Sequence, residues 1–118
     1  MRTPAAAAAA LLLVFTGAVE AKVLNGTGKG EKLVGTKGAD RIDGRGGNDQ
    51  IYGLRGNDHL NGGAGQDTIN AAPGDDTIDA RDGEQDTIQC GPGNDTVLVD
   101  AQEDGVFDCE NVVYPPGP

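Results

Sequence analysis

The sequence predicts an all-β protein, a parallel β-roll in which short strands wind as a solenoid. Three observations carry that prediction. An aliphatic residue recurs every nine positions, at Leu33, Ile42, Ile51, Leu60, Ile69 and Ile78, and after one extra residue again at Ile88 and Val97. An aspartate stands two places before each from Asp40 onward: Asp40, Asp49, Asp58, Asp67, Asp76, Asp86 and Asp95, with Glu31 in that place before Leu33. A glycine stands two places earlier still, at Gly38, Gly47, Gly56, Gly65, Gly74 and Gly93. A short repeat held in register is the mark of a chain built from identical stacked units.

Each nonapeptide divides into two parts. In Gly62 to Asn70 the first six residues, Gly-Gly-Ala-Gly-Gln-Asp, form a turn, because glycine reaches left-handed backbone and lets other backbone approach closely. The last three, Thr68-Ile69-Asn70, form a very short strand with its middle side chain inward and its flanks outward. Thr68, Thr77, Thr87 and Thr96 suit the outward flank, being β-branched and polar. Two nonapeptides make one turn of a flattened coil, with a strand on each side. Strands 18 residues apart then stack as parallel neighbours about 4.8 Å apart. The interior is two facing rows of aliphatic side chains.

Composition constrains what holds such a coil together. The chain has 118 residues, 20 glycines, no tryptophan and 3% aromatic residues. Glycine loses the most backbone entropy on folding, and few large apolar side chains are present to offset that loss. A thin core of this size calls for a disulfide, a metal or a partner. The formal charge of −10 argues against nucleic acid and anionic membrane surfaces as partners, and favours cations.

The ends read differently from the repeats. Arg2, the apolar run Ala5 to Val14 and the small-residue site Val19-Glu20-Ala21 read as a secretory signal peptide over residues 1–21. The apolar run is shorter than the roughly 20 residues a spanning helix needs. Stable membrane insertion after cleavage is therefore not expected. Residues 22–34 form an N-terminal cap with a degenerate repeat, residues 35–98 the roll, and residues 99–118 a C-terminal cap and tail. Val106-Phe107 and Val112-Val113-Tyr114 supply the apolar cover for the last turn. In an exported chain the two cysteines, Cys90 and Cys109, suggest one disulfide that staples this cap to the final repeats. Its loop would stabilise by roughly 3 kcal/mol. A metal or catalytic thiol would want a histidine nearby, and none is present.

The aspartates give the function. Residues 18 apart stack, so Asp40 lies over Asp58, Asp49 over Asp67 and Asp58 over Asp76, with Asp76 over Asp95 across the inserted residue. Adjacent carboxylates repel by about 1 kcal/mol in water and several near a protein surface. A cation between successive turns removes that repulsion. Calcium suits the place, because it takes six to eight oxygen ligands in flexible geometry and accepts backbone carbonyls. Two aspartates would combine with turn carbonyls, drawn from Gly35, Gly38, Gly44, Gly47, Gly53, Gly56, Gly62 and Gly65. Magnesium demands tighter octahedral geometry, and zinc would want the Cys or His that the repeats lack.

The pattern G-G-x-G-x-D-x-U-x resembles the calcium-binding nonapeptide of RTX (repeats-in-toxin) proteins. Gly62 to Asn70 matches it at every specified position, and the stretches ending at Ile51 and Leu60 match most of it. The chain looks like a small secreted bacterial member. The resemblance implies a parallel β-roll with calcium between consecutive turns, and the sixth-position aspartates, Asp40 to Asp95, as side-chain ligands. It covers about Gly26 to Leu98. The pairing argument gives roughly three to six ions.

Departures from the pattern mark the weaker places. Gly26 to Val34 has Lys29 for glycine and Glu31 for aspartate, and caps the roll rather than binding well. Ala71-Ala72-Pro73-Gly74 lacks the first two glycines. Ala80 to Gln89 has ten residues, and a bulge there would weaken sites involving Asp86. Asp43 and Asp79 read as outward solubility residues, Asp75 is open to either role, and the Asp100 to Asp108 segment reads as a solvated loop.

The expected function is a secreted, extracellular calcium-binding protein, monomeric and not an enzyme, in which ion binding and folding are one event. The alternative is a surface adhesion or structural module in which calcium is only a structural ion; a protein or glycan partner cannot be named from the residues. An enzyme with a metal-activated water would need a base beside an open coordination position in a cleft. His59, the only histidine, sits at an outward position. Ice binding would want threonine or asparagine at the third turn position, which holds Lys37, Gly46, Arg55, Ala64, Pro73 and Pro92. Disorder would describe the chain only without calcium, because disorder has no use for an aliphatic residue at every ninth place.

Overall fold

The computed structural model describes residues 21–81, 84–100 and 105–115. The signal-peptide segment lies outside the described residues except for Ala21, as do Asp82, Gly83, residues 101–104 and the last three residues of the tail. The described residues contain strands and turns and no helix. The strands are β1 (Val23–Asn25), β2 (Lys32–Val34), β3 (Arg41–Asp43), β4 (Gln50–Tyr52), β5 (His59–Asn61), β6 (Thr68–Asn70), β7 (Thr77–Ala80), β8 (Thr87–Gln89), β9 (Thr96–Val99), β10 (Gly105–Phe107) and β11 (Asn111–Val113).

These short strands fall alternately into two parallel sheets. One runs β1-β3-β5-β7-β9-β11 and the other β10-β8-β6-β4-β2. Consecutive strands never pair with each other; each pairs with the strand one full turn away. Ile42 lies beside Leu60 and Leu60 beside Ile78 in the first sheet. Ile51 lies beside Ile69 and Ile69 beside Ile88 in the second. This is the expected parallel β-roll, about five turns long.

The period of nine produces this because a three-residue strand has one inward position. In Thr68–Asn70 the pattern is exposed, buried, exposed. Ile42, Ile51, Leu60, Ile69, Ile78, Ile88 and Val97 are at most 1% exposed. They form one continuous core, with Leu24, Leu33, Val106 and Val112 partly buried against its ends. Fully burying such a side chain is worth about 1.5–3 kcal/mol. No single turn buries enough to stand alone, so stability comes from stacking.

The ten-residue repeat does not break the sheets. Thr68 pairs with Thr87 and Thr77 with Thr96 across the added residue, so both sheets keep their inward rows. The extra residue is absorbed in the turn. Beyond residue 70 the first turn position also fills with side chains: Ala71, Ala80, Cys90 and Val99 are all buried in the core. The Cys90–Cys109 disulfide is formed. It ties the turn after β8 to the segment between β10 and β11, where the Cys90 N–H also donates to the Phe107 carbonyl at 3.1 Å.

Leu60 tests the stacking argument, because it is wholly buried between two neighbours of its own row. Leu60→Ala is expected to cost about 2–5 kcal/mol. Thr68→Ala, on an exposed flank, is expected to stay within about 0.5 kcal/mol of the parent. Chemical denaturation of the folded protein followed by circular dichroism measures both.

Candidate metal centre

The turns bring the acidic residues into two columns, one along each edge of the coil. Glu31, Asp49, Asp67 and Asp86 form one column; Asp40, Asp58, Asp76, Asp95 and Glu110 form the other. Within each column the carboxylate oxygen of one turn accepts the main-chain N–H of the acidic residue one turn earlier. The N–H of Asp40 donates to Asp58 Oδ1 at 2.8 Å, that of Asp58 to Asp76 and that of Asp76 to Asp95 at the same distance. In the other column Glu31, Asp49 and Asp67 donate to Asp49, Asp67 and Asp86, again at 2.8 Å. The inserted residue therefore leaves the Asp86 hydrogen bond intact. All seven aspartates are buried, none more than 3% exposed.

Glu110 completes the second column. Its Oε1 takes the N–H of Asp95 at 3.0 Å. Sequence reasoning passed over it, although Glu110 stands two places before Val112, the same carboxylate-to-aliphatic spacing as in the repeats.

This bonding uses one oxygen of each carboxylate. The other, Oδ2, is buried and accepts no hydrogen bond in Asp49, Asp58, Asp76 and Asp95. A buried acceptor left unmade costs about 1–3 kcal/mol, and more when charged. At Asp49 and Asp58, Oδ2 faces a small space beside the first glycine of the same turn. A methyl group placed on Gly44 would lie 2.5 Å from Asp49 Oδ2 and 2.7 Å from the carbonyl oxygen of Gly62, one turn on. On Gly53 it would lie 2.7 Å from Asp58 Oδ2 and 3.0 Å from the Ala71 carbonyl. A carboxylate oxygen and a carbonyl oxygen thus converge on the volume that the missing side chain leaves.

Glycine at the fourth turn position has a second task. Gly65 has φ 104°, and a Cβ on it would collide with the carbonyl of Gly47 in the turn before. The Gly38, Gly47 and Gly56 carbonyls all reach across the gap between turns in this way. Of the expected carbonyls, those of Gly44, Gly53 and Gly62 approach the first-position glycine one turn earlier, and those of Gly38, Gly47 and Gly56 approach the fourth-position glycine one turn later.

The electrostatics follow from burial. Desolvation pushes Asp58 up to about 7 and Asp76 up to about 8, against the N–H donated by the previous turn, and neighbouring carboxylates push the same way. Burial also raises Asp49 and Asp95. Among the described residues no three Cys, His, Asp or Glu side chains converge. Main-chain carbonyls must therefore supply much of any coordination shell. A set of carboxylate and carbonyl oxygens fits a hard divalent cation and gives nothing to a metal that prefers sulfur or imidazole.

Other acidic and polar residues support the turns. Asp43 Oδ1 accepts the N–H of Arg45 at 3.0 Å, and Asn61 does the same for Gly63 at 2.9 Å. This holds the second turn residue in left-handed backbone, at φ 70° for Arg45. Asp79 accepts from Arg81 N–H and pairs with its guanidinium at 2.9 Å. The residues read from sequence as solubility aids are turn caps. Asp75 belongs to an outer ladder: Asn57 accepts from Asp75 N–H and Asp75 accepts from Asn94 N–H, both at 2.9 Å. The polar residues at the fifth turn position, Asn48, Asn57, Asp75 and Asn94, were the available signal for this ladder. His59 is exposed and takes no part.

No curated protein matches the chain. A family model described as the RTX calcium-binding nonapeptide repeat matches it in four copies, over residues 25–60 and 53–84. The match covers just over half of the 118 residues, and its period, its glycines and its aspartates are those of the two carboxylate columns, so the chain belongs to the RTX calcium-binding nonapeptide repeat family.

Proposed function

We propose that this protein is an exported calcium-binding β-roll, in which ions between stacked turns complete the fold. One observation carries the reading: Asp49 and Asp58 each present a buried carboxylate oxygen that accepts no hydrogen bond and faces a main-chain carbonyl of the next turn. Asp49, Asp58, Asp67, Asp76, Asp86 and Asp95 supply the side-chain oxygens. The first- and fourth-position carbonyls supply the rest. When bound, calcium neutralises stacked carboxylates whose burial would otherwise disfavour their charge. Because the ligands come from different turns, they converge only in the folded chain, which couples binding to folding.

The role is structural rather than catalytic, and the sites stay internal to the coil. Export is supported by the disulfide, which belongs to oxidising compartments, and by the apolar leader read from residues 1–21. No helix among the described residues is long and apolar enough to cross a membrane.

Calcium titration followed by far-UV circular dichroism, with magnesium as the control, tests the reading directly. A calcium-specific rise in β-structure is expected. A spectrum that is fully β in chelator and indifferent to calcium would sink the coupling.

Gly44→Ala tests the cradle. The backbone at Gly44 is not left-handed, so alanine adds only a methyl group, which lands on Asp49 Oδ2 and the Gly62 carbonyl. Equilibrium dialysis is expected to find about one calcium fewer per chain. An unchanged count would mean that this space holds no ion.

The pH dependence has a definite sign. Asp58 and Asp76 have folded-state values of about 7 and about 8, above an unfolded value of about 3.9. Without calcium the folded state binds more protons across that window, so its stability falls as pH rises from about 4 to about 8. With calcium the carboxylates must ionise, so affinity is expected to weaken as pH falls below about 8. Chelator and calcium melting curves at pH 5 and pH 8 check both trends; parallel behaviour in the two conditions would contradict them.

A further inference from the structure

The first two turns differ from the later ones at their second residue. Turns 26–31 and 35–40 carry Thr27 and Thr36 there, where the later turns have Arg45, Leu54, Gly63, Ala72, Arg81 and Gly91. Apart from Arg81, in the ten-residue repeat, those later residues sit in left-handed backbone, at φ between 66° and 85°. Thr27 and Thr36 do not; a β-branched side chain resists that region. Gly38 follows suit and lacks the positive φ of Gly47, Gly56 and Gly65.

The changed backbone turns donors onto the carboxylate. The Thr36 N–H donates to Asp40 Oδ2 at 2.6 Å and its hydroxyl donates to Asp40 Oδ1 at 2.7 Å. The hydroxyl oxygen in turn accepts the Gly38 N–H at 3.1 Å. Thr27 repeats the arrangement one turn position earlier in the other column. Its N–H donates to Glu31 Oε1 at 2.7 Å and its hydroxyl to Glu31 Oε2 at 2.8 Å, while Lys29 N–H donates to the hydroxyl at 3.2 Å. The space beside Gly35 is otherwise built like the one beside Gly44, with Asp40 Oδ2 at 2.5 Å and the Gly53 carbonyl at 2.9 Å from an added Cβ. The difference is that Asp40 Oδ2 already holds a proton donor, whereas Asp49 and Asp58 leave theirs bare.

We propose that Thr27 and Thr36 close the first rung of each column to calcium, so that ion binding begins at Asp49 and Asp58. The inference rests on the calcium reading above. At Asp40 the Thr36 N–H puts the positive end of its dipole on Oδ2, where a cation would sit, and the hydroxyl adds a donor on Oδ1, so the oxygens that a cation would be recruited to satisfy are already satisfied. The N-terminal end is thus held by the protein's own hydrogen bonds. Threonine at the second turn position is the specificity element, and its backbone preference is as important as its hydroxyl.

Calcium per chain, counted by equilibrium dialysis on the full protein, tests this with three variants, each checked by circular dichroism for the parental calcium-saturated spectrum. Asp40→Asn is expected to leave the count unchanged, whereas Asp58→Asn loses about one ion and Thr36→Gly gains about one. Loss of an ion in Asp40→Asn would overturn the closed rung while leaving the calcium reading intact. Should Asp40→Asn fail to fold, Thr36→Gly decides alone: an unchanged count there overturns the proposal. A parent that binds no calcium, with its spectrum intact, would remove the calcium reading and this inference together.

Discussion

The structure depends on a hydrogen bond that runs between turns rather than along them, from the main-chain N–H of one acidic residue to the carboxylate of the acidic residue a full turn later. It fixes the height of each turn above the last, because the oxygen must reach the amide at 2.8 Å. It also forces the carboxylates inward, since the amide it serves is buried. The strands alone could not set this spacing. A three-residue strand gives few ladder bonds and a single inward side chain. Placing a charged group inside so small a core is costly, and the coil accepts that cost at every turn. A fold of this kind must then neutralise the charge by a donor, a proton or a cation.

Those three solutions are distributed along the molecule. At the N-terminal end Thr27 and Thr36 supply donors. In the middle, where Arg45 is held left-handed by Asp43, the donor is withdrawn and Asp49 Oδ2 stands bare. Raised proton affinity at Asp58 and Asp76 is the electrostatic signature of that choice. Each column has a glutamate in place of aspartate at one of its ends: Glu31 begins one and Glu110 ends the other. The longer side chain lets a carboxylate reach its amide from a turn that lacks the regular geometry, so the end of the coil can depart from the repeat without leaving an unmade hydrogen bond.

Much of this was legible in the sequence. The inward row was visible because the core accepts only aliphatic residues at that position, so Leu33, Ile42, Ile51 and their successors mark it without help from tertiary structure. The two columns followed from the same period, and the Cys90–Cys109 bridge from an even pair of cysteines in a chain read as exported. The inserted residue in 80–89 was harder. A break in period reads as a defect, yet a turn absorbs one residue freely while a strand cannot, and the Asp67 to Asp86 bond survives. The family match stops at residue 84, while the ladder continues to Glu110. What the sequence concealed was the work of the turn residues. Asp43 and Asp79 point outward, and nothing in the pattern distinguishes a solvated carboxylate from one that caps the next turn. The outer ladder of Asn57, Asp75 and Asn94 is equally silent, because asparagine and aspartate are common in turns for several physical reasons.

The threonines show why position counts alone fall short. Thr36 stands in a slot where the repeat specifies glycine, and a pattern scores it as one mismatch among nine. Physically it changes two things together. Its side chain disfavours the left-handed backbone that Arg45 adopts with the help of Asp43 at the preceding strand end, and its hydroxyl reaches the carboxylate that the altered backbone now presents to the N–H. Either change alone would leave the rung half-satisfied. Their coincidence turns a site with a bare buried oxygen into one that is already complete, at no change in strand register or core. A repeat protein can therefore vary ion occupancy turn by turn through a turn residue that leaves the core and the hydrogen bonds between turns in place. The length of the metal-dependent section is set by where such residues stop.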